Sequence, residues 1–223
     1  MSCTKPCTYI VNTAFFADWS AGLAYFLGLF ASDGSMSYHN GYKVSIELAA
    51  KPDERAILHT LAILIGTPRL YEREGKSRLV KLMVTRKAVY EQMLHFGFTP
   101  NKTTTLRFPR VLDKLTNHFL RGFLDGDGSI MCDGSARLRV SFEGASQAFL
   151  VSLRDKLTDT ISLPGNPLHA KRLPSGRFFY RLEYTNTTAF RLCRFLYQDA
   201  GDLFLRRKRA VFEQWHSLQS SFA

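Results

Sequence analysis

Hydrophobic and polar positions follow two periods along the chain, one helical and one alternating, and the two recur in the same order twice. Residues 19–31 are apolar on nearly all sides, which marks a buried helix. Val44, Ile46 and Leu48 then alternate with Lys43, Ser45 and Glu47 across 43–50, the pattern of a strand with one face buried. Pro52-Asp53-Glu54 opens a helix, because proline fits a first turn and acids suit its dipole; the helix runs through Ile65 and stops at Gly66. Segments 69–73 and 78–85 read as strands around a Glu74-Gly75 turn, and a helix from Lys87 ends at His95 before Gly97. Residues 97–110, with Pro, Thr and Gly, read as a linker. The order then returns: a helix at 147–160, strands at 168–171 and 178–184, and a helix at 187–196. A basic helix over 204–219 closes the chain.

The sequence itself repeats with this pattern. Residues 26–34 read FLGLFASDG and residues 120–128 read LRGFLDGDG, followed by Ser35-Met36 and Ser129-Ile130. VSIE at 44–47 answers VSFE at 140–143, and LMVT at 82–85 answers LEYT at 182–185. A period this long indicates two duplicated half-domains rather than a solenoid. The division predicted is an N-terminal extension at 1–18, a first half-domain at 19–96, the linker at 97–110, and a second half-domain with the basic helix at 111–223.

Composition narrows the partners. Apolar residues make up 45% of the 223, enough for a core, and the net charge is +11, spread along the chain. A folded protein with that surplus meets a polyanion, and DNA or RNA leads. Cys3, Cys7, Cys132 and Cys193 form no CxxC pair and have no histidine at zinc-finger spacing, so they read as reduced thiols. With no signal-peptide pattern and no apolar run of about 18 residues, the expected setting is intracellular, cytoplasmic or organellar, and not secreted, with no membrane partner.

The repeated motif carries the chemistry. Gly28 and Ser32 stand four apart, as do Gly122 and Gly126, so each pair shares a helix face that another helix can approach closely. Asp33 and Asp127 then fall in the last turn, before Gly34 and Gly128, where glycine suits a left-handed cap. A carboxylate is electrostatically wrong at a helix C-terminus. Two such ends side by side, with open carbonyls, predict a hard divalent cation.

The stretch FLRGFLDGDGSI, with FLGLFASDGSM as a looser copy, closely resembles the signature of the LAGLIDADG homing endonucleases. The stretches from Asn101-Lys102-Thr103 to Phe108-Pro109 and from Leu203 to Arg209 resemble the segments found at those places in the family, and the likeness covers the chain from Trp19 to Trp215. The resemblance implies an α+β fold of duplicated αββαββα half-domains related by a pseudo-twofold axis, with a saddle-shaped antiparallel sheet tracking the DNA major groove. It implies a monomer with an internal pseudo-dimer. It implies Mg²⁺ or Mn²⁺ as cofactor, with Ca²⁺ binding without supporting cleavage, and a site-specific homing endonuclease of intron type that cuts both strands of a long double-stranded DNA target.

Carried over residue by residue, Asp33 and Asp127 are the catalytic, metal-binding acids, with the carbonyls of Ser32 and Gly126 as further ligands. Ala31 stands where the second motif has Asp125, which makes the half-sites unequal. By position, Lys87, with Arg86 as its rival, is the basic residue of the first half, where the second offers Asn186 and Thr187; Lys51 and Gln147 correspond as water-positioning residues. DNA-contact candidates in the first half are Ser37, Tyr38, His39, Lys43, Ser45, Glu47, Arg69, Tyr71, Arg73, Lys76 and Arg78. In the second half they are Arg137, Arg139, Ser141, Glu143, Lys171, Arg172, Arg177 and Arg181. Glu47 and Glu143 are matched strand acids, suited to accept from cytosine N4 or to bridge a basic neighbour. Arg206, Arg207 and Lys208 are expected on phosphates beyond the centre. The alternative reading is a catalytically silent DNA- or RNA-binding protein of the same fold, a transcription regulator or an intron maturase. An intein is disfavoured by the Met1-Ser2 start and the Ser221-Phe222-Ala223 end.

Overall fold

A computed structural model describes residues 10–39, 41–49, 51–66, 69–73, 78–133 and 137–220. Cys3, Cys7 and Lys76 lie outside these residues, as does the side chain of Arg69. A short helix α1 (Ala14–Ala17), not foreseen in the sequence, precedes the repeats. The first repeat runs α2 (Ala21–Asp33), β1 (Gly34–Ser37), β2 (Lys43–Ala49), α3 (Pro52–Ile65), β3 (Arg69–Arg73), β4 (Leu79–Val84) and α4 (Lys87–His95). The second runs α5 (Thr116–Asp127), β5 (Gly128–Cys132), β6 (Leu138–Gly144), α6 (Gln147–Ile161), β7 (His169–Arg172), β8 (Phe178–Thr185) and α7 (Asn186–Tyr197), followed by α8 (Arg206–Ser220). This is the αββαββα order, twice. None of the described helices is long and apolar enough to cross a membrane.

Each repeat builds one antiparallel four-stranded sheet, in the orders β1-β2-β4-β3 and β5-β6-β8-β7. Strand alternation sorts the two faces. Val44, Ile46, Leu48, Val80, Leu82 and Val84 turn inward against the helices, as do Val140, Phe142, Leu182 and Tyr184 in the second sheet. Register puts Lys43, Ser45 and Glu47 of β2 on the opposite face with Lys81 of β4 and Tyr71 and Arg73 of β3. The outer face of the second sheet likewise gathers Arg139, Ser141, Glu143, Arg181, His169 and Lys171. Arg172 departs from the expectation: it pairs with Phe178, two residues along from the Ala170–Tyr180 pair, so it projects on the helix side of the sheet.

The repeats meet through α2 and α5, and the meeting is nearly backbone to backbone. A Cβ on Gly28 would lie 1.9 Å from the Phe119 carbonyl oxygen, and one on Gly122 would lie 2.2 Å from that of Tyr25. Tyr25 and Phe119 are themselves equivalent in the repeat, so the contact obeys the pseudo-twofold axis. One step on, Gly126 faces Ser32: a Cβ on Gly126 would fall 1.9 Å from Ser32 Oγ and 2.2 Å from Asp33 Oδ2. The apolar residues around this seam, among them Phe26, Leu29, Phe119 and Phe123, are buried and join both halves into one core.

Gly34 and Gly128 are not left-handed caps. Their φ values are −81° and −126°, extended backbone that any residue adopts. Glycine is required there because a Cβ would meet the Phe30 ring at 2.2 Å and the Leu124 side chain at 2.5 Å.

Gly28→Ala and Gly122→Ala are each expected to destabilise the protein by about 3 kcal/mol, since a methyl group against a fixed carbonyl forces the helices apart. Gly165→Ala, where nothing lies within 4 Å, is the near-neutral control. Urea unfolding of the three variants measures this; equal midpoints would contradict the close-contact seam.

Candidate active site and nucleic-acid interface

The seam delivers both motif acids to one spot. Asp33 ends α2 and Asp127 ends α5, where the two sheets begin. Asp33 turns toward Gly126, and its Oδ2 is buried without a hydrogen-bond partner. Burial raises the Asp33 carboxyl above the ordinary carboxylate value. Burial, with the Asp33 charge adding to it, raises Asp127 to about 6, although Asp127 is open to solvent on one side. Two carboxylates in such proximity, one holding an orphaned oxygen, fit a divalent cation by donor chemistry. Among the described residues no group of three His, Cys, Asp or Glu side chains stands together.

Two buried lysines, which the motif logic alone does not reveal, face these acids. Lys102, in the segment after α4, donates from Nζ to the Gly34 carbonyl at 2.8 Å. Lys208, in the first turn of α8, donates to the carbonyls of Gly128 at 2.7 Å, Asp125 at 2.9 Å and Leu124 at 2.5 Å. Gly34 and Gly128 are equivalent, so the lysines are pseudo-twofold partners. Burial lowers each to about 8, against the pull of the acids. The Asn101-Lys102-Thr103 and Arg207-Lys208-Arg209 stretches are the available signal, but nothing in their local pattern says that the side chains turn inward.

Lys208 is therefore not a surface phosphate contact: its three donors are all taken inside the protein. Arg207 is also engaged, its guanidinium 2.9 Å from Glu54 Oε1 and its backbone N–H donating to Asp53 Oδ2 at 2.8 Å. Arg206 remains exposed on α8.

Asp125, the acid without a partner in the first motif, is structural. Its Oδ2 accepts from Tyr25 Oη at 2.8 Å and from the Leu205 N–H at 3.0 Å, tying the first repeat to the entrance of α8. Burial, first of all, raises this carboxyl to about 6. Beside it, Arg121 is fully buried and donates to the carbonyls of Leu203 at 2.7 Å and Leu196 at 2.6 Å, and to His118 Nδ1 at 2.9 Å. The always-protonated guanidinium fixes Nδ1 of His118 as an acceptor.

The remaining expected residues divide. Gln147 begins α6 next to Ser146, which lines a cavity of about 50 Å³ together with Lys102, Thr103 and Asp127. Lys51 is the exposed N-cap of α3, at the equivalent end of β2. Lys87 sits at the other end of the sheet: its Nζ is 3.5 Å from Glu91 and 6.0 Å from the Tyr42 ring, beside the β1–β2 turn. Gly34 pairs with Ile46, so that turn is several strand residues, roughly 13 Å, from Asp33. Arg86, the N-cap of α4, lies at that same end. Asn186 and Thr187 open α7, where a Thr185–Thr188 capping box occupies the turn.

On the sheet faces, Ser45 and Ser141 are buried and paired with Ser35 at 3.1 Å and Ser129 at 2.8 Å, so they brace strands rather than stand open to contact. Tyr38, His39, Arg78, Arg137, Lys171 and Arg177 are exposed, and Ser37 and Lys43 are half-buried. Arg139 lies 3.5 Å from Asp133. Glu47 is flanked by Lys81 at 3.5 Å and Arg73 at 3.8 Å, and Glu143 by Arg181 at 2.7 Å.

No family model matches the sequence, and no curated protein matches it. Solved structures do. The LAGLIDADG meganuclease I-AabMI, bound to uncleaved DNA, superposes with a TM-score of 0.58 at 12% identity, over 89% of this chain and 90% of that one. I-DmoI in complex with DNA and Ca gives 0.55 at 18% identity, over 91% and 99%. The N-terminal LAGLIDADG domain of DUF199/WhiA gives 0.53 at 13% identity, over 87% and 86%. The chain thus has an α+β fold of two sheet-and-helix repeats. That fold is the one carried by the LAGLIDADG homing endonucleases, with both repeats in a single chain.

The raised carboxyls have a measurable consequence in metal-free protein. An acid that binds its proton more tightly folded than unfolded favours the folded state at low pH, and that advantage is lost as pH rises from 3.8 to about 6. The melting temperature of the wild type, relative to the Asp33→Asn, Asp127→Asn double variant, is expected to fall across this window and stay level above it. A flat difference from pH 4 to 7 would show that the two acids are not desolvated.

Proposed function

We propose that this protein is a site-specific endonuclease that hydrolyses phosphodiester bonds on both strands of a double-stranded DNA target, with Asp33 and Asp127 as its metal-holding acids. The observation that carries this reading is the convergence of the two acids, one with an orphaned buried oxygen, at the junction of two sheets whose outer faces carry alternating charged and polar side chains. The +11 net charge supplies the long-range attraction to a polyanion. Among the structures of like fold, I-AabMI is bound to DNA and I-DmoI to DNA and Ca, which is in keeping with it.

Asp33 and Asp127, with the carbonyls of Ser32 and Gly126, would hold the cation, Mg²⁺ or Mn²⁺. Lys208's acceptors are the Leu124, Asp125 and Gly128 carbonyls, so it does not compete for that of Gly126. A divalent ion held there would lower the pKa of bound water and neutralise charge on the leaving oxygen. Lys102 and Lys208 fix the chain reversal after each acid and hold positive charge beside the scissile phosphates. The lysines differ in reserve: all three donors of Lys208 are committed, whereas Lys102 spends one on Gly34 and stands over the Phe30 ring at 5.3 Å. Gln147 and Lys51, at equivalent strand ends, remain the water-positioning residues.

Asp33→Asn or Asp127→Asn is expected to lower cleavage by about a hundred- to a thousandfold, the loss typical of a removed charge-stabilising group, while target affinity changes less than about fivefold. Strand-resolved cleavage gels with Mg²⁺ and binding assays with Ca²⁺ test this. Binding without any cleavage by the wild type would instead support a silent DNA-binding protein, and full cutting by the double variant would refute the site.

The same reading requires a monomer, because both acids come from one chain. Sedimentation at micromolar concentration is expected to give a single species of 25.4 kDa; an obligate dimer would contradict it.

A further inference from the structure

The outer faces of the two sheets carry one matched row each, next to the motif acids. In the first sheet, Glu47 of β2 stands opposite Lys81 of β4, which stands opposite Tyr71 of β3. In the second, Glu143 of β6 stands opposite Arg181 of β8, which stands opposite His169 of β7. Each row thus begins with a carboxylate, continues with a cation, and ends on an edge-strand ring. Each also lies one residue beyond the strand pair that contains the glycine following the motif acid, Gly34–Ile46 and Gly128–Phe142. The rows therefore flank the proposed cutting centre at equal distances.

The donors and acceptors in these rows are only partly consumed. Arg181 Nε lies 2.7 Å from Glu143 Oε1, which leaves its Nη1–Nη2 edge to point elsewhere. The Arg181 side chain is nearly half exposed, at 46%, and Glu143 at 23% holds its guanidinium in place. Lys81 Nζ is held more loosely by Glu47, at 3.5 Å, and both side chains are about a third exposed.

In the major groove a G·C pair offers two adjacent acceptors, guanine O6 and N7, next to the cytosine N4 donor. A cation fork beside a carboxylate presents the complementary order. An A·T pair interleaves donor and acceptor and does not match it.

Resting on the endonuclease reading above, we infer that Glu143–Arg181 and Glu47–Lys81 are the specificity residues for a G·C base pair on each side of the cut, at equal distances from the centre of the target. The two readers are unequal. Arg181, with a rigid fork and a close carboxylate, discriminates strongly; Lys81, a single flexible ammonium, discriminates weakly. The target is thus palindromic at this one pair of positions even where its flanks are not.

Selection of bound duplexes from a randomised double-stranded DNA library in Ca²⁺, followed by competition with single-position variants, tests this. Selected duplexes are expected to carry G or C at two symmetric positions. Replacing the pair on the Arg181 side by A·T is expected to weaken binding about tenfold or more, and replacing the other pair less. Arg181→Ala should erase the preference on one side only, Arg181→Lys should retain part of it, and Lys81→Ala should act on the opposite side. Urea midpoints equal to wild type establish that these exposed variants fold. Enrichment of a defined sequence without the symmetric G·C pairs, or an unchanged preference in Arg181→Ala, overturns this assignment alone. Failure to enrich any duplex overturns it together with the endonuclease reading.

Discussion

The rest of the structure depends on how closely α2 and α5 approach. A helix pair separated by ordinary side chains would leave Asp33 and Asp127 too far apart to share anything. Glycine at 28 and 122 removes the spacer, and each helix then rests on a carbonyl of the other. Acids of like charge at two negative helix ends repel one another, so the contact that assembles the core also assembles an electrostatic deficit. Packing imposes the deficit, and the buried lysines relieve only part of it. The asymmetry of the motifs begins here as well. Ser32 fills the space that Gly126 leaves, so the twofold holds in backbone placement and is broken in side chains.

Around this seam the two tails behave alike although they look unlike. The turn holding Lys102 and the first turn of α8 holding Lys208 each close over the end of their own motif helix and continue onto the opposite repeat. Leu106 accepts from Ser146 at the start of α6, and Arg207 reaches Glu54 at the start of α3. Arg121 and Asp125 add a buried frame that fixes the approach to α8, Arg121 by donating to the Leu203 and Leu196 carbonyls and Asp125 by accepting from the Leu205 N–H. The equivalence is one of position, since one tail is an irregular turn and the other a helix.

Most of the architecture is legible in the sequence because it rests on local patterning. The alternation at 43–50 and the Pro-Asp-Glu start at 52 state their own geometry, the repeated SDGS and GDGS stretches mark where the motif helices end, and the elements fall within a few residues of the boundaries expected. The seam is legible too, since small residues four apart on an apolar helix have one common use. What cannot be read is the direction of long side chains. Lys208 and Arg207 look like surface charge in a basic helix, yet their partners, Gly128 and Glu54, lie 80 and 153 residues away. Lys87 is expected at the centre by position alone, but the antiparallel register carries the end of β4 that it follows away from Asp33. The extended conformation of Gly34 and Gly128 is hidden for a related reason: the constraint comes from Phe30 and Leu124 one turn back, not from the backbone angle.

The path of α8 bears on the order in which the protein can be completed. Glu54, at the start of α3, gains its cation Arg207 only from the first turn of α8, late in the chain, whereas Tyr25 gains Asp125 as soon as α5 is available, little more than halfway along it. Without α8, Glu54 lacks its cation, although α5 already covers the seam face of α2. The first repeat is thus completed in two steps, at its seam by α5 and at the start of its α3 by α8.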